Sequence, residues 1–142
     1  CPDAVFLLRP TSPLRTAEHI DEAISLLGDN NVDSVVSIEP VKQHPYCMYI
    51  RHNNNYFVEY DAAKNKPERR QDLPELWITN DHTLLSTVNY LNEENRRGGN
   101  EIVNMKNFTP YYISGADTID IDSELDFLYA ELLLQQRKTV EK

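Results

Sequence analysis

Glycine is scarce in this chain: Gly28, Gly98, Gly99 and Gly115 are all that 142 residues contain. None stands in the spaced pattern of a phosphate-cradling loop, where backbone amides must approach an anion closely. Cysteine is scarcer still. Cys1 and Cys47 form neither a CxxC pair nor a disulfide framework, which points to plain thiols in a reducing compartment, expected to be the cytoplasm. No apolar run approaches the ~20 residues of a membrane-crossing helix. Basic residues are outnumbered, 14 against 23 acidic ones, for a formal net charge of -9. Scattered as they are, they exclude nucleic acid and an anionic membrane as partners. A small anionic substrate stays open, because a few converging arginines and a divalent cation override net charge locally.

What is present reads as one α/β domain, a class to which the length is suited. Residues 4–8, AVFLL, form a short continuous apolar run, the pattern of a strand covered on both faces in a parallel sheet. Thr16 is a helix cap before Ile20, Ala23, Ile24 and Leu27, with Gly28 as the stop. Residues 34–38, SVVSI, read as a second buried strand, completing a β-α-β unit with a right-handed crossover. Two tyrosine-rich runs, 46–51 and 56–60, flank Asn53, Asn54 and Asn55 as a hairpin, and a lone hairpin is marginal in water without a cover. Residues 64–74, charged and bounded by proline, read as a loop. Helical spacing predicts a helix over 83–94, ended by Gly98-Gly99. Residues 102–103 and 111–113 read as short strands. Ser123 starts a last helix, with Asp126 completing a capping box and Leu125, Leu128, Tyr129 and Leu132 as its buried stripe.

Two segments could carry chemistry. Arg9-Pro10-Thr11-Ser12-Pro13-Leu14-Arg15 follows the first strand, where open α/β sheets bind ligands. Its prolines fix the backbone, and its guanidiniums suit phosphate or carboxylate. The alternative is an ordinary strand-to-helix loop whose prolines stop the helix running backwards. In residues 117–122, extended backbone would put Asp120 and Asp122 on one face, where a magnesium ion suits two neighbouring carboxylates. The alternative is that Asp122 only caps the following helix. Other constellations are weaker. His44, Cys47 and His52 lack a recognised zinc spacing, and no GxSxG elbow accompanies Ser12 or Ser37. Trp77 and the tyrosines read as core and interface.

Four segments occur in a telling order: RPTSPLRTAEHIDEAI, DSVVSIEPVKQHPY, RRQDLPELWITN and DTIDIDSELDFLYAELLL. Together they resemble the cytidylyltransferases that activate sialic acid and related nine-carbon keto-sugar acids. The resemblance runs along nearly the whole chain. It implies a Rossmann-like nucleotide-diphospho-sugar transferase fold, mostly parallel, with residues 41–78 as a protruding hairpin arm that makes a homodimer. It implies an enzyme that uses Mg2+ and CTP to make a CMP-sugar and pyrophosphate. Carried over by motif, Thr11, Ser12 and Arg15 border the nucleotide and sugar. Arg70 and Gln71, with Arg69 beside them, match residues that approach the phosphates and sugar, and Asn80 matches the asparagine of an "NG" turn by the sugar. Asp120 and Asp122 match the magnesium pair. Without the resemblance, Arg69 and Arg70 read as solvated loop charges.

The chain departs from that pattern in three places. Arg9 stands where glutamine is usual, so a cation is expected at the sugar acid and the preferred acid is expected to differ from ordinary sialic acid. Asn80-Asp81-His82 replaces the usual small "NGA" turn, and residues 83–100 are unlike the usual run. The amino-terminal strand and its Gly/Arg/Lys-rich triphosphate loop have no counterpart, so the chain reads as the carboxyl-terminal two-thirds of an enzyme and is expected to be inactive alone. A non-catalytic dimerisation or binding module that keeps the fold is the rival reading. An eight-carbon keto-sugar acid as substrate fits less well, since PTSPLR is not that family's form.

Overall fold

The computed structural model describes residues 2–51, 57–59 and 67–140, with only the backbone of 57–59 and of Val140. The chain divides into two units, one of residues 1–39 and 79–142, the other Pro40–Ile78.

The first unit is α/β, and its sheet is mixed, an arrangement compatible with a Rossmann-like fold. Strands β1 (Ala4–Leu7), β2 (Ser34–Pro40), β5 (Trp77–Thr87) and β6 (Phe108–Tyr112) take the order β1-β5-β2-β6. β2 and β6 are parallel, Ser34 opposite Phe108 and Ile38 opposite Tyr112. β1 is antiparallel to β5, Ala4 opposite Thr87 and Leu7 opposite Leu84. Strand β5 lies between β1 and β2. This corrects one expectation: β1 is an edge strand of this sheet with Val5 exposed, not one covered on both faces. A short apolar run cannot distinguish these cases, because periodicity says nothing about which strand is the neighbour.

The predicted helix over 83–94 is half strand. Residues 83–87 complete β5, and α2 (Val88–Arg96) starts only after Thr87, whose side chain accepts from the Tyr90 amide. Leu84 and Leu85 do have helical spacing with Val88 and Leu91. Pairing with β1 on a buried face, beside Thr83 and Thr87, overrides it. Residues 102–103 are irregular rather than strand; the Ile102 carbonyl instead accepts from the buried Ser86 hydroxyl. Helix α1 (Ala17–Asn30) starts at the Thr16 cap as expected, but runs through Gly28 and ends at Asn31, which takes the left-handed conformation of a helix stop at φ 48°. The core gathers Ala23 of α1, Val35 of β2, Leu85 of β5 and Tyr111 of β6, with Ile113 just beyond.

Helix α3 (Glu124–Val140) opens on the expected box: the Asp126 carboxylate accepts from the Ser123 amide at 2.9 Å and from its hydroxyl. Its expected buried stripe is not buried. Leu125, Leu128, Tyr129 and Leu132 all face out, and among the described side chains of the helix Ala130 is the buried apolar one. Spacing identifies the apolar face but not whether anything covers it.

In the second unit, β3 (Tyr49–Arg51) pairs antiparallel with β4 (Phe57–Glu59), so the hairpin exists, its first strand starting at Tyr49 rather than Tyr46. Pro45–Cys47 forms a single 3-10 turn before it, so Tyr46 is not in a strand. Residues Asn53, Asn54 and Asn55, Tyr56, Tyr60, His52 and 64–66 of the charged loop lie outside the described residues. A second 3-10 turn, Arg70–Asp72, follows.

Candidate functional site

Three segments of the first unit converge beyond the end of β1. The loop after β1 is shaped by its own backbone, the Ser12 amide donating to the Arg9 carbonyl at 3.3 Å, and its Ser12 and Leu14 are buried. The Ile121 amide donates to the Thr11 carbonyl at 2.9 Å, which brings the Asp120–Asp122 segment alongside the Thr11-Ser12 rim. Arg137 of α3 fastens both: one nitrogen donates to the Leu14 carbonyl at 3.1 Å and the other pairs with Asp117. Arg15 ties in the third segment, its Nε and Nη2 donating to the His82 carbonyl and its Nη1 to the Arg9 carbonyl. Arg15 therefore acts first as a brace, and partial burial lowers its pKa from the ordinary arginine value.

The Asn80-Asp81-His82 turn sits inside β5. Asn80 is fully engaged: its Oδ1 accepts from the Ser37 hydroxyl at 2.5 Å and from the His82 amide, and its Nδ2 donates to the Ile113 carbonyl. Asp81 takes φ 56°, left-handed backbone that asparagine, aspartate and glycine tolerate best. Its carboxylate pairs with Arg9 at 3.0 Å, so two of the departures from the expected motif touch each other. His82 has no exposed surface, its ring lies edge-on to His19 at 5.0 Å, and its Nδ1 meets the Thr83 hydroxyl at 3.0 Å. Burial, then the positive charges of Arg15 and His19, push its pKa down to about 4. Nothing in the spacing of residues pointed to His82; the turn it belongs to stood out only as a departure.

Asp122 is not the helix cap. Ser123 and Asp126 cap α3 between them, and no donor among the described residues reaches the Asp122 carboxylate. The Asp120 Oδ1 is buried without a partner. A buried carboxylate oxygen left without a donor is costly. This pair suits a hard divalent cation that takes one or two carboxylates and completes its shell with water and phosphate oxygens. No group of three or more His, Cys, Asp or Glu residues able to hold a metal exists among the described residues, so an all-protein cage is not what the pair offers.

Arg9, Thr11, Ser12, Arg15, Asn80, Asp120 and Asp122 thus belong to one unit, most of them joined by the contacts above. Arg69, Arg70 and Gln71 lie in the other, exposed at the 3-10 turn, where the Arg70 Nη2 donates to the Lys42 carbonyl at 3.1 Å.

The fold and this rim of arginine, hydroxyl and carboxylate groups define an α/β protein with a polar site beyond its strand ends. No family model matches the chain. Among curated proteins it is similar to an N-acylneuraminate cytidylyltransferase of Streptococcus agalactiae serotype V, 31% identical over 124 residues, 87% of this chain and 28% of that protein. It is also similar to a CMP-N,N'-diacetyllegionaminic acid synthase of Legionella pneumophila, 29% identical over 140 residues, 94% of this chain and 54% of that protein. A post-translational flagellin modification protein B of Campylobacter coli is 24% identical over 135 residues, 95% of this chain and 54% of that protein. The chain is a homologue of the N-acylneuraminate cytidylyltransferases and matches only part of them, spanning about a quarter to a half of these relatives' lengths.

Proposed function

We propose that this chain is part of a cytidylyltransferase that activates a nine-carbon keto-sugar acid of the sialic or legionaminic type with CTP, giving the CMP-sugar and pyrophosphate. The observation that carries it is the Asp120–Asp122 segment. One carboxylate has a buried oxygen without a donor, the other is released from capping, and the backbone of Ile121 between them is hydrogen-bonded to the Thr11 carbonyl of the rim. The homologues' names supply the substrate class.

In this reading the anomeric hydroxyl of the sugar acid attacks the α-phosphorus of CTP in line and pyrophosphate leaves. No covalent intermediate on the protein is needed. Mg2+ held by Asp120 and Asp122 would supply charge stabilisation at the phosphates. The half-buried Thr11 offers a hydroxyl at the rim, buried Ser12 holds the loop in shape through its amide bond to the Arg9 carbonyl, and Arg15 keeps the loop and the His82 segment in register. Arg69, Arg70 and Gln71, exposed in the other unit, belong to the reading through the resemblance of their motif.

Residues 41–78 are proposed to form the arm of a homodimer, since Met48, Tyr49, Ile50, Trp77 and Ile78 are all exposed. The chain alone is proposed to be inactive, because no glycine-rich loop is present to cradle a triphosphate. Among the described residues no helix is long and apolar enough to cross a membrane, and the site we propose is that of a cytoplasmic enzyme.

The test is pyrophosphate release by the full-length protein from CTP and a panel of nine-carbon keto acids. Asp120→Asn or Asp122→Asn should lower turnover by about three orders of magnitude or more without unfolding the protein. Normal turnover by both variants at limiting Mg2+ would remove the carboxylates from the chemistry.

A further inference from the structure

The pairing of Arg9 with Asp81 changes what Arg9 can recognise. A free guanidinium at the mouth of the site would draw a carboxylate. Here the guanidinium already holds one at 3.0 Å, and both side chains remain about 40% exposed, 43% and 40%. A second carboxylate approaching Arg9 would meet the like charge of Asp81 at nearly the same distance.

The pair is also braced. Arg15 donates to the backbone carbonyls of Arg9 and His82, the residue after Asp81, so one side chain holds both partners' backbones in place. The Ser12 amide adds a second bond to the Arg9 carbonyl. Asp81 keeps its place in a left-handed backbone, φ 56°, which a glycine would adopt without strain. What the position gains over glycine is the carboxylate.

We propose that Arg9 and Asp81 form one specificity-determining pair that reads the neutral hydrogen-bonding substituents of the sugar acid, its hydroxyl and N-acyl groups, rather than its carboxylate. Side by side, the pair presents N–H donors and carboxylate acceptors with no net charge. A hydroxyl can donate to Asp81 and accept from Arg9, and N-acyl groups supply N–H donors and C=O acceptors. A substituent lacking both leaves the two charges facing only each other. The proposal rests on the functional reading above and specifies which part of that substrate this face of the site inspects.

The experiment compares kcat/KM of the full-length protein for nine-carbon keto acids that carry an N-acyl group, a hydroxyl or only hydrogen at the varied positions. The variants are Asp81→Asn and Asp81→Gly, both compatible with the backbone, and Arg9→Gln. The ratio of substituted to deoxy acid should fall about tenfold in each variant while the KM for CTP stays put. Arg9→Gln combined with Asp81→Asn should lose no more selectivity than either change alone, because the pair acts as a unit. A ratio within twofold of the parent's, whether rates are unchanged or fall uniformly, overturns the proposal. If the parent turns over no acid at all, the functional reading fails on its own, and the same ratio read as binding by ligand-observed NMR still decides the pair.

Discussion

The two units of this chain bury their apolar residues very differently. In the unit of the four-stranded sheet, Val35, Val36, Leu85 and Ala23 are almost wholly inaccessible, and the buried Ser34 and Ser86 hydroxyls bond each other at 2.8 Å, while the buried Asp120 Oδ1 is left without a partner. In Pro40–Ile78 no described residue is buried, although Met48, Tyr49, Ile50, Trp77 and Ile78 are large and apolar. One unit carries its own core, and the described residues of the other leave their large apolar side chains exposed, which is what the proposed dimer arm would cover. Stability should therefore be concentrated in the first and association in the second.

The largest expected effect is on the sheet's core. Leu85→Ala should cost about 2–4 kcal/mol in denaturant unfolding, by transfer loss and residual cavity. Ile50→Ala, at an exposed hairpin position, should stay within about 0.5 kcal/mol at concentrations where the chain is monomeric. Equal losses would erase the distinction between the units.

Next comes pH. His82 in the folded protein titrates near 4, below an ordinary histidine. Between about pH 6.5 and pH 4 the unfolded chain binds a proton that the folded one refuses. Stability should thus be full above pH 6.5 and fall by roughly 2 kcal/mol as pH drops through that window. His82→Gln should flatten this slope in urea titrations at several pH values; an unchanged slope would mean that other groups set it.

The α3 cap should matter less. Ser123→Ala or Asp126→Ala should each cost about 1 kcal/mol, whereas Asp122→Asn should cost almost nothing in thermal unfolding, since Asp122 makes no capping bond. A loss from Asp122→Asn as large as that from Ser123→Ala would return Asp122 to a structural role.

The smallest effect on folding, with the clearest effect on assembly, belongs to the hairpin. Replacing Tyr49 and Ile50 by serine should leave unfolding nearly unchanged but turn a dimer into a monomer in light scattering at micromolar concentration. A parent that is already a clean 16.5 kDa monomer would leave Pro40–Ile78 without its proposed partner.

Local chemistry was legible in the residues where it is self-contained. The Thr16 cap, the Ser123/Asp126 box and the hairpin depend on neighbours a few positions away, and each is present. Strand order was not legible, because β1 and β5 meet across some eighty residues and neither apolar run names its partner. Residues 83–87 were misread for the same reason: helical spacing at Leu84 and Leu85 is overruled by pairing that lies outside the window. In the site, the positions of Arg9, Thr11, Ser12, Arg15, Asp120 and Asp122 could be picked out as motifs. The Arg9–Asp81 pair, the brace from Arg15 and the buried His82 could not, since each joins residues far apart in the chain.

The central claim is that the Asp120–Asp122 segment beside the Thr11-Ser12 rim holds the metal of a CMP-transfer site, and Mn2+ binding reads this most directly. In the full-length protein with CTP present, paramagnetic relaxation enhancement by Mn2+ should show one bound ion, competed by Mg2+ and lost in Asp120→Asn. CMP-sugar formation should vanish with it. An ion that binds equally well to Asp120→Asn, with CMP-sugar still formed at the parent's rate, would contradict the account.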